Sequence, residues 1–169
     1  MGERVPRWLI HVGEKGGSDI GKTKRGKGSK CMVVVDGGGV PLGIHVASAN
    51  LAEISLAPPT LKAVRVPGRG RRCRQLIRVI ADMAYDSDPF RVAQAKRGVT
   101  VIVPYRSNNL HRRFEDRRQL RRYRHRWIVE RTFAWLGGFR RLLIRHERFT
   151  SMYLAFLYFA SALIALRRF

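Results

Sequence analysis

The sequence predicts an α/β protein, a mixed sheet with helices on its faces. Three observations carry that expectation. Apolar runs short enough to be buried strands recur at 31–35, 76–81 and 99–104, with turn or helix signals between them. A Gly-rich turn joins the first run to a second apolar stretch, as in a hairpin. The order of segments is strand, hairpin, helix, strand, helix, strand, long helix, with a last apolar helix behind. At 169 residues the chain is expected to form one domain, 1–169, with a sizeable core.

Trp8–Val12 reads as a short strand and contains no acidic residue. Residues 13–30, GEKGGSDIGKTKRGKGSK, are Gly- and Lys-rich and read as a loop. Within them Gly16 to Thr23 spell the phosphate-loop pattern G-x-x-x-x-G-K-[ST]. That chemistry needs a helix starting at the Lys-Thr pair, and Lys24-Arg25-Gly26-Lys27-Gly28 does not favour one. The cations Lys22, Lys24, Arg25 and Lys27 are instead expected to grip nucleic-acid phosphates, the plainer alternative being a solvated loop.

Cys31–Val35, the turn Asp36-Gly37-Gly38-Gly39 and Val40–Ala49 read as strand, tight turn and strand, with Asp36 a turn residue. Ser48 or Asn50 is expected to cap a helix over Leu51–Val64, with Pro58 and Pro59 near its start. Residues 65–75 form a basic link. Leu76–Ala81 is a buried strand, and Asp82 falls at its carboxyl end, where ligand sites on open sheets gather. Ser87 or Asp88 caps a helix with Pro89 at its first position, which runs to Arg97 and stops at Gly98. Val99–Pro104 is a further strand, and 106–118 is a polar, Arg-rich loop.

Arg122 to Arg141 is expected to be the long helix. Tyr123, Trp127, Glu130 and Ala134 recur at helical steps and share one face. A carboxylate among aromatic rings needs a partner. One candidate is Arg126 at i−4. The other is a divalent metal held together with carboxylates from elsewhere, and the spacing leaves both open. Asp82 with Glu130 supplies oxygen donors suited to Mg²⁺. For Asp82 the plainer alternatives are a helix cap or a structural acid, and Asp86 and Asp88 read as turn and cap residues.

The formal charge is +22, from 34 Lys+Arg against 12 Asp+Glu. Such an excess points to a polyanionic partner, nucleic acid first and an anionic membrane surface second. The uncharged run 149–166 is just long enough to span a bilayer, but Thr150, Ser151 and Ser161 lower its hydrophobicity, so a buried or partner-facing helix is expected and no membrane span. The two cysteines, Cys31 and Cys73, have no metal-ligand spacing and suggest a reducing cytoplasm. No signal sequence is read at the N-terminus.

Three stretches carry a resemblance: GKTKRGKGSKCMVVVDGGGVPLG, IADMAYDSDP and RRYRHRWIVERTFAWLGGFRRL. In the last, Tyr123, Arg126 and Glu130 stand in a Y-x2-R-x3-E pattern. Over nearly its whole length the chain resembles the DDE transposases of bacterial insertion sequences. The resemblance implies a ribonuclease-H-like fold with an Asp on the first strand, an Asp at the end of the fourth and a Glu on a late helix. Asp82 matches the second acid and Glu130 the third. Tyr123 and Arg126 would support the site or touch DNA. The implied activity is metal-dependent cleavage and strand transfer on double-stranded DNA, both element ends and target, with Mg²⁺ and with Mn²⁺ as a substitute. A homodimer and a bacterial cytoplasm, in association with the nucleoid, go with it.

The chain departs from the pattern twice. The Lys expected seven residues after the Glu is Gly137, with Arg140 or Arg141 as the nearest stand-ins. The first-strand Asp should fall near Arg7, and Arg7 to Val12 offers no carboxylate. The family's N-terminal region has no counterpart here, so the chain is expected to be a C-terminal catalytic part. A catalytically inactive DNA-binding remnant is the alternative, and a generic nucleic-acid-binding protein, which would give Glu130 no role, is a third.

Overall fold

The computed structural model describes residues 5–13, 17–24, 26–66 and 78–168, with the backbone alone for 5–13. Its central strand is β3 (Gly26–Val35), and the reason lies in its sequence. Cys31 to Val35 are all apolar and each is at most 1% exposed, the condition of a strand covered on both faces. Cys31, Val33 and Val35 pack with Ile128, Phe133 and Leu157, whereas Met32 and Val34 pack with Leu56, Leu61 and Phe90. The period-2 alternation of a strand thus sorts one continuous apolar run into two cores.

Strands β1 (Val5–Gly13) and β4 (Pro41–Ser48) pair antiparallel with β3, and Arg7 of β1 lies opposite Val33. A short β2 (Gly21–Thr23) pairs with the outer end of β3. Strands β5 (Arg78–Ile80) and β6 (Thr100–Ile102) form a parallel pair, and β5 lies against β1. The same two layers continue across that pair, since Ile80 and Ile102 join the first core and Val79, Ala81 and Val103 the second. Helices α1 (Glu53–Lys62) and α2 (Asp88–Ala95) cover one face. After the four-residue α3 (Arg117–Leu120), helix α4 (Trp127–Gly137), the short α5 (Arg140–Leu143) and α6 (Thr150–Leu166) cover the other. Between α5 and α6 a two-residue strand, β7 (Ile144–Arg145), adds in parallel to the end of β1. The described strands thus form a five-stranded mixed sheet and a separate parallel pair beside it, with helices on both faces, so the expected α/β arrangement is observed but not as one sheet.

Several elements differ from expectation. Within the Gly/Lys-rich stretch, Gly21–Thr23 and the residues from Gly26 on are paired strands rather than loop, because ladder bonds to a neighbouring strand override the weak propensity of Gly and Lys. Its Gly21–Thr23 segment is a strand, not the helix start that a phosphate loop requires. The stretch from Arg122 to Arg141 is divided: Arg121–Arg126 is a 3₁₀ turn, α4 follows, and the chain turns at Gly138 into α5. In α1 neither Ser48 nor Asn50 caps; Ala52 occupies that position, and Pro58 and Pro59 sit in mid-helix rather than near its start. Helix α2 is capped as expected, with Ser87 Oγ accepting from the Phe90 amide at 3.4 Å. Residues 106–118 hold a 3₁₀ turn, Leu110–Phe114, and the start of α3. The link at 67–75, with Cys73, lies outside the described residues, as do Leu76, Ile77 and Arg25.

No helix among the described residues is long and apolar enough to cross a membrane. Helix α6 instead buries Tyr153, Leu157, Ala160 and Ile164 against the sheet. Burial also pushes the Cys31 thiol up to about 12, so it acts as a small hydrophobe.

The β3–β4 turn is built by Asp36, whose Oδ1 accepts from the Gly38 and Val40 amides at 2.9 Å each. Gly39 closes it at φ +87°, and a Cβ there would meet Thr132 Oγ1 at 3.0 Å and Trp135 Cζ3 at 3.1 Å. Replacing Gly39 by Ala combines left-handed strain with crowding against α4. It is expected to lower the unfolding free energy by about 2 kcal/mol in chemical denaturation.

Candidate active site

Asp82 follows β5 by two residues and caps the 3₁₀ turn Met83–Tyr85, its Oδ1 accepting from the Met83 amide at 2.7 Å. The cap reading is thus correct, and the Asp82 side chain remains 41% exposed. Tyr123 OH donates to Oδ1 at 3.2 Å. Arg126 Nη1 stands 3.6 Å from Asp82 Oδ2 and 3.4 Å from Glu130 Oε1. One guanidinium therefore bridges an acid at the end of a strand and an acid on a helix that follows the next strand. The Asp82 and Glu130 side chains are 41% and 42% exposed, so the pair is open to a ligand from solvent.

Trp127, Glu130 and Ala134 lie on the exposed side of α4, with Trp127 51% exposed, whereas Tyr123 is half-buried and packs against the core. The larger stripe of Ile128, Val129, Phe133 and Leu136 wins the core. Glu130 itself is 42% exposed.

Two supports hold the acids in place. Behind Glu130, the Thr132 hydroxyl donates to Gly39 O at 2.7 Å and Arg131 Nη2 donates to Gly38 O at 2.9 Å, which ties α4 to the β3–β4 turn. Arg131 is also stacked between Trp127 and Trp135, 4.7 and 4.8 Å from their ring centres. Behind Asp82 lies Asp86, whose side chain is only 1% exposed. It accepts from Arg91 Nη2 at 2.9 Å, the Arg106 amide at 2.7 Å and Asn109 Nδ2 at 3.2 Å. Arg106 Nε in turn donates to Met83 O at 3.3 Å. Burial pushes the Asp86 carboxyl up, but the Arg106 amide, Arg91 and Asn109 outweigh it and hold it below its ordinary value. Sequence reasoning saw Asp86 only as a turn residue and did not single out Arg106, Asn109, Arg131 or Thr132 as supports. For Asp86 the one available signal was its position one turn after Asp82.

Residues 8–164 match the family model described as the transposase DDE domain. The chain belongs to this family. It is 39% identical over 140 residues to the transposase assigned to insertion sequence element IS402 of Burkholderia cepacia, an alignment covering 81% of this chain. The chain spans 62% of the length of that relative. A piggyBac transposase synaptic complex with hairpin DNA superposes on 64% of this chain and 24% of its own, with a TM-score of 0.43 and 13% identity.

Transposase DDE domains work with divalent metal ions, so the fit of the present residues matters. Asp82 and Glu130 are oxygen donors, solvent-open, and already arranged around a single cationic group, which suits a hard divalent ion in kind. No group of three or more His, Cys, Asp or Glu suited to a metal occurs among the described residues. Of the other sites expected in this transposase domain, Lys22, Lys24 and Lys27 are exposed on the β2–β3 hairpin, and Arg25 lies outside the described residues. Lys22 and Lys27 are direct cross-strand partners, a like-charge pair that a polyanion would relieve. Near Gly137, Arg141 is spent on Glu147 at 2.9 Å, and Arg140 is exposed at the start of α5.

Proposed function

We propose that this domain is the catalytic part of an insertion-sequence transposase, cutting duplex DNA at element ends and joining it to target DNA through Asp82 and Glu130. The observation that carries this is the bridging of those two acids, from separate elements, around one cation position. Strand order supports a ribonuclease-H-like frame: β4, β3 and β1 pair in sequence, β5 and β6 lie beyond β1, and helices cover both faces. In such a frame the acids stand where the family's second and third acids stand. Mg²⁺, or Mn²⁺ in its place, is the ion this pair would hold, and when bound it supplies Lewis acidity at the phosphodiester. Asp82 and Glu130 hold it, Tyr123 fixes the Asp82 carboxylate, and the exposed lysines neutralise phosphates along the duplex. Holding two element ends together favours a homodimer. Action on bacterial DNA places the domain in the cytoplasm, at the nucleoid.

Arg7 favours a second reading. It lies in β1, between the strand leading to Asp82 and the layer of α4, where the family's first acid is expected. On that reading the chain binds DNA and does not cut it. Both are tested by incubating it with labelled duplex carrying the element's terminal repeats, in Mg²⁺ and then Mn²⁺. Cleavage that falls at least a hundredfold in Glu130→Gln supports the first reading. Binding with no cleavage in either protein leaves the second.

Binding itself has a separate expectation. Replacing Lys22, Lys24 and Lys27 together by Ala should weaken duplex affinity and reduce the slope of log affinity against log salt by about 2 to 3, one phosphate contact per lysine. An unchanged slope would remove the hairpin from the interface.

A further inference from the structure

We propose that Arg126 is an exchangeable counter-ion: it holds Asp82 and Glu130 together before metal arrives, and gives them up when a substrate phosphate takes its guanidinium. The proposal rests on the reading of Asp82 and Glu130 as metal ligands. A single nitrogen, Arg126 Nη1, lies within 3.6 Å of an oxygen from each acid, so the guanidinium shields the charge that would attract the ion. Metal and arginine thus compete for the same two carboxylates.

The hold is weak by construction, which is what makes exchange feasible. Both contacts are 3.4 Å or longer, and all three side chains are 34–42% exposed, so water screens them. Arg126 precedes Glu130 by four residues, the less favourable order for a helical ion pair. The guanidinium is neither stacked closely nor buried; it lies 5.8 Å from the Tyr123 ring centre. A phosphate diester offers a guanidinium two oxygens in a matching fork, a better partner than two single-point contacts. Tyr123 keeps its own grip on Asp82, so that carboxylate stays oriented when the arginine leaves.

The consequence is coupling. DNA that captures Arg126 unmasks the metal site, and metal that occupies the site releases Arg126 to DNA, by the same factor in both directions. The domain would then load its ion chiefly when DNA is present.

The test measures Mn²⁺ affinity by electron paramagnetic resonance, with and without a short duplex, after subtracting Mn²⁺ bound by the duplex alone. The chain as given is compared with Arg126→Gln and with Arg124→Gln, which removes a neighbouring exposed charge from the same turn. Without DNA, Arg126→Gln should bind Mn²⁺ roughly three- to tenfold more tightly than the chain as given, the gain expected from removing two exposed ion pairs, and Arg124→Gln should change it little. DNA should tighten Mn²⁺ binding in the chain as given and in Arg124→Gln, and the effect should collapse in Arg126→Gln. Equal affinity in all three proteins, or weaker binding in Arg126→Gln, would overturn the exchange while leaving the metal site standing. Binding that survives Glu130→Gln, or no Mn²⁺ binding by any protein, would overturn the site reading and the exchange with it.

Discussion

Replacing Arg7 by Asp is expected to raise metal-dependent DNA cleavage by at least about a thousandfold over the chain as given, which amounts to roughly 4 kcal/mol of barrier at about 1.4 kcal/mol per decade. Several kcal/mol is what a well-held ion contributes to stabilising charge in the transition state. On the reading proposed above, Asp82 and Glu130 bring two carboxylates to that task. The backbone at position 7 is the register partner of Val33, β1 lies against β5, and α4 packs on β1. The strand is therefore flanked by the element that delivers Asp82 and covered by the one that delivers Glu130. The change also replaces a cation, which repels a divalent ion, by an anion, which attracts it. Two controls make the result interpretable. Arg7→Ala, which removes the cation without adding a ligand, should recover far less activity. Arg7→Asp combined with Glu130→Gln should recover none. If Arg7→Asp binds duplex normally yet cleaves no faster, a missing carboxylate at position 7 is not what limits cleavage.

The layers, and the positions of Asp82 after a strand and of Glu130 on a helix, were legible in the sequence because their signals are local. An unbroken run such as Cys31–Val35 implies cover on both faces, and the structure puts one core on each side of it. Asp82 follows an apolar run by one residue, and Glu130 belongs to a helical pattern. Which stripe of α4 faces the core was not settled by the spacing of Tyr123, Trp127, Glu130 and Ala134 alone. Trp127 stays half exposed, with Arg131 stacked on its ring. Tyr123 and Arg126 sit on a tighter 3₁₀ turn, whose period differs from the one assumed. The β2–β3 hairpin was missed because its strands are specified by pairing with β1 and with each other, not by their own residues. The same limit hid the double contact of Arg126. Spacing shows a partner within one helix, but not a second one across the sheet, and here the i−4 ion pair and the oxygen cage proposed for a metal are built from the same carboxylate.

Asp86→Ala is expected to destabilise the fold by about 3 kcal/mol, the range for breaking a buried charged network, and to lower the melting temperature by about 5–10 °C. Removing the carboxylate takes an acceptor from the Arg106 amide and the Asn109 side chain and leaves the Arg91 guanidinium with the Val103 carbonyl and the Tyr105 ring but no counter-charge. The pH dependence identifies the cause. Asp86 has its folded pKa held below the ordinary carboxylate value, so its anion is favoured in the fold over the unfolded chain. Its contribution is complete above the unfolded value of about 4, and is lost as pH falls through the lower folded value. A denaturation series should therefore find the gap between the chain as given and Asp86→Ala constant near neutrality and narrowing below about pH 4. A gap that stays constant down to pH 2 would mean that the cost comes from lost packing rather than from charge. Because Asp82 caps the turn that Asp86 anchors, the variant should also lose Mn²⁺ affinity at temperatures where it remains folded, which a purely global loss of stability would not produce.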